Sequence, residues 1–293
     1  ESGLTVTNTY TQPWTEDIVG TKIWVNGPKP AVSFELWRKG GTAGAGEKVV
    51  DATAVDATTN EVNFGKQLKT DINGVEYEYY VVEPDVPANY SKVESGLTVT
   101  NTYTQPWTED IIGTKYWVNG PAEKPAVEFE LWRRNGTARN GERVVAATAV
   151  VNNKVDFGKQ LKTDVNGVEY EYYVVEPTVP ANYTKREIGL AVVNTYIQPL
   201  TDVSIIGTKI WVNGPAEKPA VEFELWRKNG TAGDGEKVVV ATALMGTAVD
   251  FGKQLKTDIN GVEYEYYVKE ATVLENYSKV ESGLTVTNTY TPD

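Results

Sequence analysis

Residues 64–81 read FGKQLKTDINGVEYEYYV, and the same segment recurs at 157–174 and 251–268 with a change at a single position. In its second half glutamates alternate with apolar and aromatic residues, which is typical of a β-strand with one wet and one buried face. The Asn-Gly pair before that strand indicates a tight turn. No window of the chain shows a sustained helical period. The segment therefore predicts an all-β fold.

The segment belongs to a repeat of domain size. The tripeptide GTK at Gly20, Gly113 and Gly207 recurs at intervals of 93 and 94 residues, which is too long for a solenoid repeat and suits a small domain. Short strands at regular spacing within such a unit predict an immunoglobulin-like antiparallel β-sandwich. We expect three such domains in an elongated tandem array, with boundaries at 14–105, 106–198 and 199–293.

Composition excludes several classes of function. The 293 residues carry 28 basic and 40 acidic side chains without a block of like charge, which argues against nucleic acid or an anionic membrane as partner. There is no cysteine and no histidine, so disulfides, thiolate metal sites and histidine-based catalysis are absent. No apolar run is long enough to insert in a membrane. We expect no cofactor, no metal and no enzyme with turnover.

Two polar residues of each repeat fall on strand faces that should be buried. Glu83 shares a face with Val81 in YYVVE, and Asn101 shares a face with Val99 in VTNTY. Burying either group without a partner would cost on the order of a few kcal/mol. Lys22 in GTKIW is the third candidate, although both faces of its strand are apolar and alternation does not decide which one is inside. From the residues alone, a buried ion pair hydrogen-bonded to the asparagine is the simpler interpretation.

The repeat resembles a known family at these positions. The first strand TKIWVNG with its lysine, the YYVVE strand ending in glutamate and the closing VTNTYT resemble the B-type repeat of Gram-positive collagen adhesins, the Cna B-type domain. The resemblance implies an intramolecular isopeptide bond between lysine and asparagine side chains on the first and last strands, promoted by the glutamate. Carried onto this sequence, the sets are Lys22, Glu83 and Asn101; Lys115, Glu176 and Asn194; and Lys209, Glu270 and Asn288.

Desolvation would favour a neutral, nucleophilic lysine amine and a protonated glutamic acid that polarises the asparagine carbonyl. The bond forms once, so each domain acts on itself. The third repeat departs from the other two beside this glutamate, because VKEAT replaces VVEP and Ala271 stands where the others have Pro84 and Pro177.

The resemblance implies a structural stalk that holds a head domain of the same protein away from the wall of a Gram-positive cell, with adjacent repeats as its partners. The alternative is that the repeats themselves bind a host extracellular protein or glycan. Alternation places three tryptophans on wet faces where exposed rings could form such a platform, although packing under a neighbouring segment is the simpler expectation. These residues are Trp37, Trp132 and Trp226. Trp14 and Trp107, in the joints, are expected to wedge between domains.

The first ten residues, ESGLTVTNTY, repeat at 94–103 and 281–290, with a looser copy at 187–196. The motif either opens each domain or closes it. The resemblance favours closure, and so does mechanics, because a tether from Asn8 to Lys22 would leave most of the domain extensible. Residues 1–13 are then expected to be the orphan last strand of a preceding repeat plus a linker, cut from a longer protein. Their deletion is expected to leave the first domain equally stable.

Overall fold

A computed structural model describes residues 3, 4, 6–272 and 274–292. These residues form three tandem all-β domains, as the alternation predicted, and contain no α-helix. Consequently no helix among the described residues is long and apolar enough to cross a membrane.

Each repeat has seven strands and one short 3-10 helix in the same order. In the first repeat these are β1 (Trp14–Val25), β2 (Ser33–Lys39), the 3-10 helix Gly41–Ala43, β3 (Glu47–Ala54), β4 (Glu61–Leu68), β5 (Glu78–Val82), β6 (Tyr90–Ser95) and β7 (Thr98–Tyr103). In the second they are β8 (Ile112–Val118), β9 (Glu128–Arg134), Gly136–Ala138, β10 (Glu142–Ala149), β11 (Lys154–Asp156), β12 (Glu171–Val175), β13 (Tyr183–Ile188) and β14 (Ala191–Tyr196). In the third they are β15 (Ile206–Val212), β16 (Glu222–Lys228), Gly230–Ala232, β17 (Glu236–Ala243), β18 (Ala248–Asp250), β19 (Glu265–Glu270), β20 (Tyr277–Ser282) and β21 (Thr285–Tyr290).

The strands of each repeat form a four-stranded and a three-stranded sheet. In the first repeat the orders are β4-β1-β7-β6 and β3-β2-β5, and the other two repeats have equivalent orders. The expected sandwich is confirmed, but one pairing differs from the antiparallel expectation, because β1 and β7 are parallel neighbours. This is possible because the chain crosses between the sheets before β7 returns beside β1, and parallel strands need such a long connection.

The core of each repeat lies between its two sheets. In the first repeat Phe34 and Leu36 of β2 and Val99 of β7 have no exposed surface. Gly20 of β1 lies against this core, where an added Cβ would come within 3.0 Å of the Phe34 ring. The glycine of the GTK motif is therefore required by close packing between the sheets. The core residues equivalent to Phe34, Leu36 and Val99 are Phe129, Leu131 and Val192 in the second repeat and Phe223, Leu225 and Val286 in the third.

The contacts divide the chain into two compact units, and the second repeat contributes to both. One unit holds Glu1–Ile111, Arg133–Glu142 and Gly158–Glu171, and the other holds the remaining residues. The joint between repeats one and two therefore lies within the first unit, and the joint between repeats two and three lies within the second.

Each joint has the same hydrogen bonds. In the first unit the hydroxyl of Tyr103 lies 2.9 Å from Thr163 Oγ1, and Gln105 Nε2 donates to the Thr163 carbonyl at 2.7 Å. The Gly27 N–H donates to the Val165 carbonyl at 2.8 Å. In the second unit the corresponding contacts are Tyr196 to Thr257 at 2.8 Å, Gln198 to Thr257 at 2.9 Å and Gly120 to Ile259 at 2.8 Å.

The segment before the first repeat contributes the same side chains. Tyr10 reaches Thr70 Oγ1 at 2.7 Å, and Gln12 Nε2 donates to the Thr70 carbonyl at 2.7 Å. These contacts argue against the expectation that residues 1–13 add nothing to the stability of the first domain, which stays a prediction. The expected wedge of Trp107 between the first and second repeats is wrong, because Trp107 is 62% exposed.

Candidate functional site

Lys22 points into the sandwich, which decides the question that alternation left open. Ile18, Gly20 and Lys22 are buried on the inner face of β1, while Ile23 and Val25 on the outer face are exposed. The lysine is only 3% exposed. The close packing required at Gly20 is on the same face, so the GTK motif turns both residues towards the core.

Glu83 and Asn101 lie beside this lysine. Lys22 Nζ is 2.7 Å from Glu83 Oε2, and Asn101 Nδ2 donates to Glu83 Oε1 at 3.0 Å. Glu83 and Asn101 have no exposed surface. In the sheet, β1 and β7 pair in parallel with Trp24 opposite Asn101. The glutamate follows β5 of the other sheet, so the three side chains meet between the sheets.

The other two repeats have the same arrangement. The lysine Nζ to glutamate Oε2 distances are 2.6 Å for Lys115 and Glu176 and 2.5 Å for Lys209 and Glu270. The asparagine to glutamate distances are 3.0 Å for Asn194 and 2.9 Å for Asn288. The structure thus brings together every lysine, glutamate and asparagine that the sequence grouped.

Burial lowers the pKa of Lys22 below its usual range, and the hydrogen bond and charge of Glu83 oppose this shift only in part. Two aromatic rings lie near the amine: the Trp24 ring centroid is 4.7 Å and the Phe34 ring centroid 5.9 Å from Nζ. Burial lowers the pKa of Lys115 and Lys209 in the same way. Burial therefore moves each lysine towards the neutral amine, which is the nucleophilic form.

The carbonyl oxygen of the asparagine is the unusual atom of the site. Asn101 Oδ1 is buried and has no hydrogen-bond partner among the described residues, and the same is true of Asn194 and Asn288. Buried polar atoms are normally paired, so an unpaired one in all three copies requires an explanation. An amide carbonyl that is free to be attacked is one such explanation.

The third repeat differs where its sequence differs. The Ala271 N–H donates to the Glu222 carbonyl at 3.0 Å, a bond that Pro84 and Pro177 have no N–H to make. Strand β19 accordingly extends to Glu270, whereas β5 stops at Val82. A cavity of about 80 Å³ beside the site is lined by Glu270, Leu274 and Asn288 among others. The glutamate of this repeat is 5% exposed.

The three tryptophans of the proposed platform are half-buried. Trp37 Nε1 donates to Glu35 at 2.9 Å, and its ring stacks on Tyr80 of the neighbouring strand with centroids 6.4 Å apart. Trp132 and Trp226 are bound in the same way by Glu130 and Glu224 and stack on Tyr173 and Tyr267. Each indole N–H is therefore hydrogen-bonded within its own domain.

Sequence reasoning missed a second pair of charged residues at the site. Lys92 and Glu94 of β6 both bind the main chain of Glu83. The sequence does contain a pattern that could have identified this pair. A lysine and a glutamate two residues apart recur at the same place in every repeat, at 92 and 94, 185 and 187, and 279 and 281.

Fold and site together define a class of protein: tandem immunoglobulin-like sandwiches, each with a buried lysine, glutamate and asparagine between its two sheets. The sequence model of the Cna protein B-type domain matches residues 18–102, 111–195 and 205–289. The chain belongs to this family.

Relatives of the chain include a staphylococcal surface protein. This chain is 28% identical to the collagen adhesin of Staphylococcus aureus over 99% of its own length and 25% of that protein. It therefore spans about a quarter of this relative. The crystal structure of two B repeat units of the collagen binding protein of S. aureus is 26% identical, with a TM-score of 0.41, over 96% of this chain and 74% of that one. A single B repeat unit of the same protein is 25% identical, with a TM-score of 0.27, over 64% of this chain and all of that one.

Proposed function

We propose that the chain is a structural spacer in the stalk of a bacterial surface adhesin, and that each repeat is locked by a Lys–Asn isopeptide bond formed by its own residues. The observation that carries the proposal is the buried contact of Lys22 with Glu83 and of Glu83 with Asn101, whose carbonyl oxygen is unpaired. A simple ion pair explains the first contact but gives no reason for the unpaired oxygen in every repeat.

The reaction needs only these three side chains. The Lys22 ammonium gives a proton to the Glu83 carboxylate across their 2.7 Å contact, which yields a neutral amine and a carboxylic acid. Rotation of the Asn101 amide about its terminal torsion, a soft one, brings Oδ1 to the acid, which donates to it. The amine attacks Cγ, the new C–N bond forms, and the old amide C–N bond breaks. Glu83 transfers the amine proton to the departing nitrogen, so ammonia leaves and the acid is regenerated.

The spacer role follows from where such a bond lies in the chain. Tension enters the first repeat through residues 11–13 and leaves it after Tyr103. A bond from Lys22 to Asn101 joins two neighbouring parallel strands, the first and the last of the repeat. It removes residues 23–100 from the path of the load, so the sandwich stays folded under tension. A wall-anchored stalk on the outside of the cell, without disulfides, requires this property.

Intact-mass measurement tests the bond. The whole chain should weigh less than its plain sequence by one ammonia per repeat, and peptide mapping should show Lys22 joined to Asn101. Glu83→Ala should abolish the loss in the first repeat alone. Asn101→Ala, which keeps the ion pair, should do the same and serves as the variant expected to stay folded. A wild-type mass equal to that of the plain sequence would rule the proposal out.

Binding of a host protein or glycan by the repeats is the second candidate. It is favoured by the three half-exposed Trp–Tyr stacks, which are built alike at Trp37, Trp132 and Trp226. Replacing all three tryptophans by alanine should abolish adhesion to extracellular matrix if the repeats bind it, and should leave adhesion unchanged if they only space a head domain. The name of the collagen adhesin suggests collagen as the first matrix protein to assay.

A further inference from the structure

Two charged side chains of β6 hold the main chain of the promoting glutamate. Glu94 Oε1 accepts the Glu83 amide N–H at 2.8 Å, and Lys92 Nζ donates to the Glu83 carbonyl oxygen at 2.6 Å. Lys92 and Glu94 are themselves joined at 2.6 Å. We name this pair the clamp. It binds both main-chain polar groups of one residue, Glu83, without touching the reacting atoms.

The clamp is present in all three repeats. Glu187 and Glu281 accept the N–H of their glutamates at 2.8 Å each, and Lys185 and Lys279 donate to the carbonyls at 2.5 and 2.9 Å. The residues next to the clamp differ between repeats: this strand reads YSKVES in the first repeat and YTKREI in the second. The clamp also persists in the third repeat, where the residue after the glutamate is alanine instead of proline. It is therefore independent of its immediate neighbours.

The clamp connects the two sheets at the site. Glu83 follows β5 of the three-stranded sheet, whereas Lys22 and Asn101 lie on β1 and β7 of the four-stranded sheet. Strand β6 pairs with β7, with Lys92 opposite Asn101 and Glu94 opposite Val99. Glu83 lies beyond the last residue of β5, and its main chain is held by these side chains of the opposite sheet. The clamp thereby joins the main chain of Glu83 to the sheet that carries Lys22 and Asn101.

We propose that Lys92 and Glu94, with Lys185 and Glu187 and Lys279 and Glu281, are positioning residues for isopeptide-bond formation. They hold the main chain of the glutamate so that its carboxylate lies between amine and amide. The inference rests on the proposed function and adds to it the residues that determine the rate. A displacement of about 1 Å in such a geometry costs roughly 100-fold in rate.

The charges of the clamp provide a signature that distinguishes positioning from general support of the fold. The charged groups acting on Lys22 are Glu83, Lys92 and Glu94. The positive charge of Lys92 lowers the pKa of Lys22, and the negative charge of Glu94 raises it. Lys92→Met should therefore move the pH range of bond formation upwards, and Glu94→Gln should move it downwards. Loss of stability alone would shift neither.

The experiment follows bond formation in the full chain. The chain is recovered as insoluble material and dissolved in denaturant. Its intact mass is measured first, to establish that no isopeptide bond has formed. It is then refolded over a series of pH values, quenched in acid and mapped for the cross-linked peptide of each repeat. Substitutions are made only in the first repeat, so the second and third repeats of the same molecule serve as internal controls. Val93→Arg, which introduces the residue of the second repeat at an exposed position of β6, is the matched surface control.

Lys92→Met and Glu94→Gln should each slow bond formation in the first repeat roughly 10- to 100-fold relative to the other two, with pH shifts of opposite sign. Lys92→Arg should restore the rate, and Val93→Arg should leave it unchanged. Equal rates in all three repeats, or slowing without the pH shifts, would overturn the inference while the proposed function stands. If no wild-type repeat loses ammonia, the proposed function fails and the inference fails with it.

Discussion

Glu83 has no exposed surface, and its carboxylate is bound by Lys22 on one oxygen and by Asn101 on the other. Lys22→Met removes the one cation among the described residues that contacts this carboxylate directly, and leaves a buried charge. Breaking a buried pair in this way typically costs about 3–5 kcal/mol. Lys22→Met/Glu83→Gln removes the charge as well and should therefore be more stable than the single variant, although neither can form the bond.

Chemical denaturation of the two variants measures the difference. A single variant as stable as the double at neutral pH would mean that the carboxylate is not isolated from water, contrary to its burial.

Two of the three site residues in each repeat were predictable from strand alternation. Glu83 and Asn101 continue the buried faces of Val81 and Val99, so a period of two residues identified them. Lys22 was not predictable in this way, because Ile18 and Trp24 on one face of its strand are as apolar as Ile23 on the other. Packing of β1 against the second sheet decided which face is inside.

At the scale of the strand, Gly20 determines how closely β1 approaches the core. A Cβ at this position would lie 3.0 Å from Phe34, 3.1 Å from Val81 and 3.2 Å from Val62. Gly20→Ala should therefore destabilise the first repeat by about 1–3 kcal/mol, the usual cost of overpacking.

This measurement is made by denaturation in a chain carrying Asn101→Ala, so that a covalent bond does not mask the change. Gly3→Ala is the matched control, because an added Cβ there meets nothing within 4 Å. An unchanged midpoint for Gly20→Ala would show that β1 can move away from the core without cost.

The segment before β1 should also contribute to the first repeat. Its deletion removes the hydrogen bonds of Tyr10 and Gln12 to Thr70 and that of the Lys69 N–H to the Pro13 carbonyl. At about 0.5–1.5 kcal/mol for each net hydrogen bond, less the entropy regained by the freed segment, we expect a loss of roughly 1–2 kcal/mol. Thermal unfolding of the chain lacking residues 1–13, compared with Tyr10→Phe/Gln12→Ala, checks this, and equal stability would restore the sequence-based expectation.

At the scale of the elements, the strands were predictable and one of their pairings was not. The period of two residues indicates a strand whichever neighbour it has, so the YYVVE and VTNTY strands were identified. The parallel pairing of β1 with β7 has no local signal, because it depends on how the chain crosses between the sheets. It brings Lys22 and Asn101 into neighbouring strands of one sheet.

For the whole molecule, the proposed bonds predict that only the joints between repeats extend under a pulling force. Single-molecule pulling of the wild-type chain should give no length release from residues 23–100, 116–193 or 210–287. The chain with Asn101, Asn194 and Asn288 all replaced by alanine should give three unfolding steps, one for each repeat. Unfolding steps of domain length in the wild-type chain would contradict the proposed bonds.

The sequence by itself determined the all-β class, the threefold repetition and the inward direction of the glutamate and the asparagine, because repetition and alternation are local properties of the chain. Only the tertiary structure decided that Lys22 faces inward, that β1 and β7 are parallel neighbours, and that Lys92 and Glu94 hold Glu83 from the opposite sheet. These facts depend on which strand packs against which, and contacts between residues far apart in the chain leave no periodic signal in it.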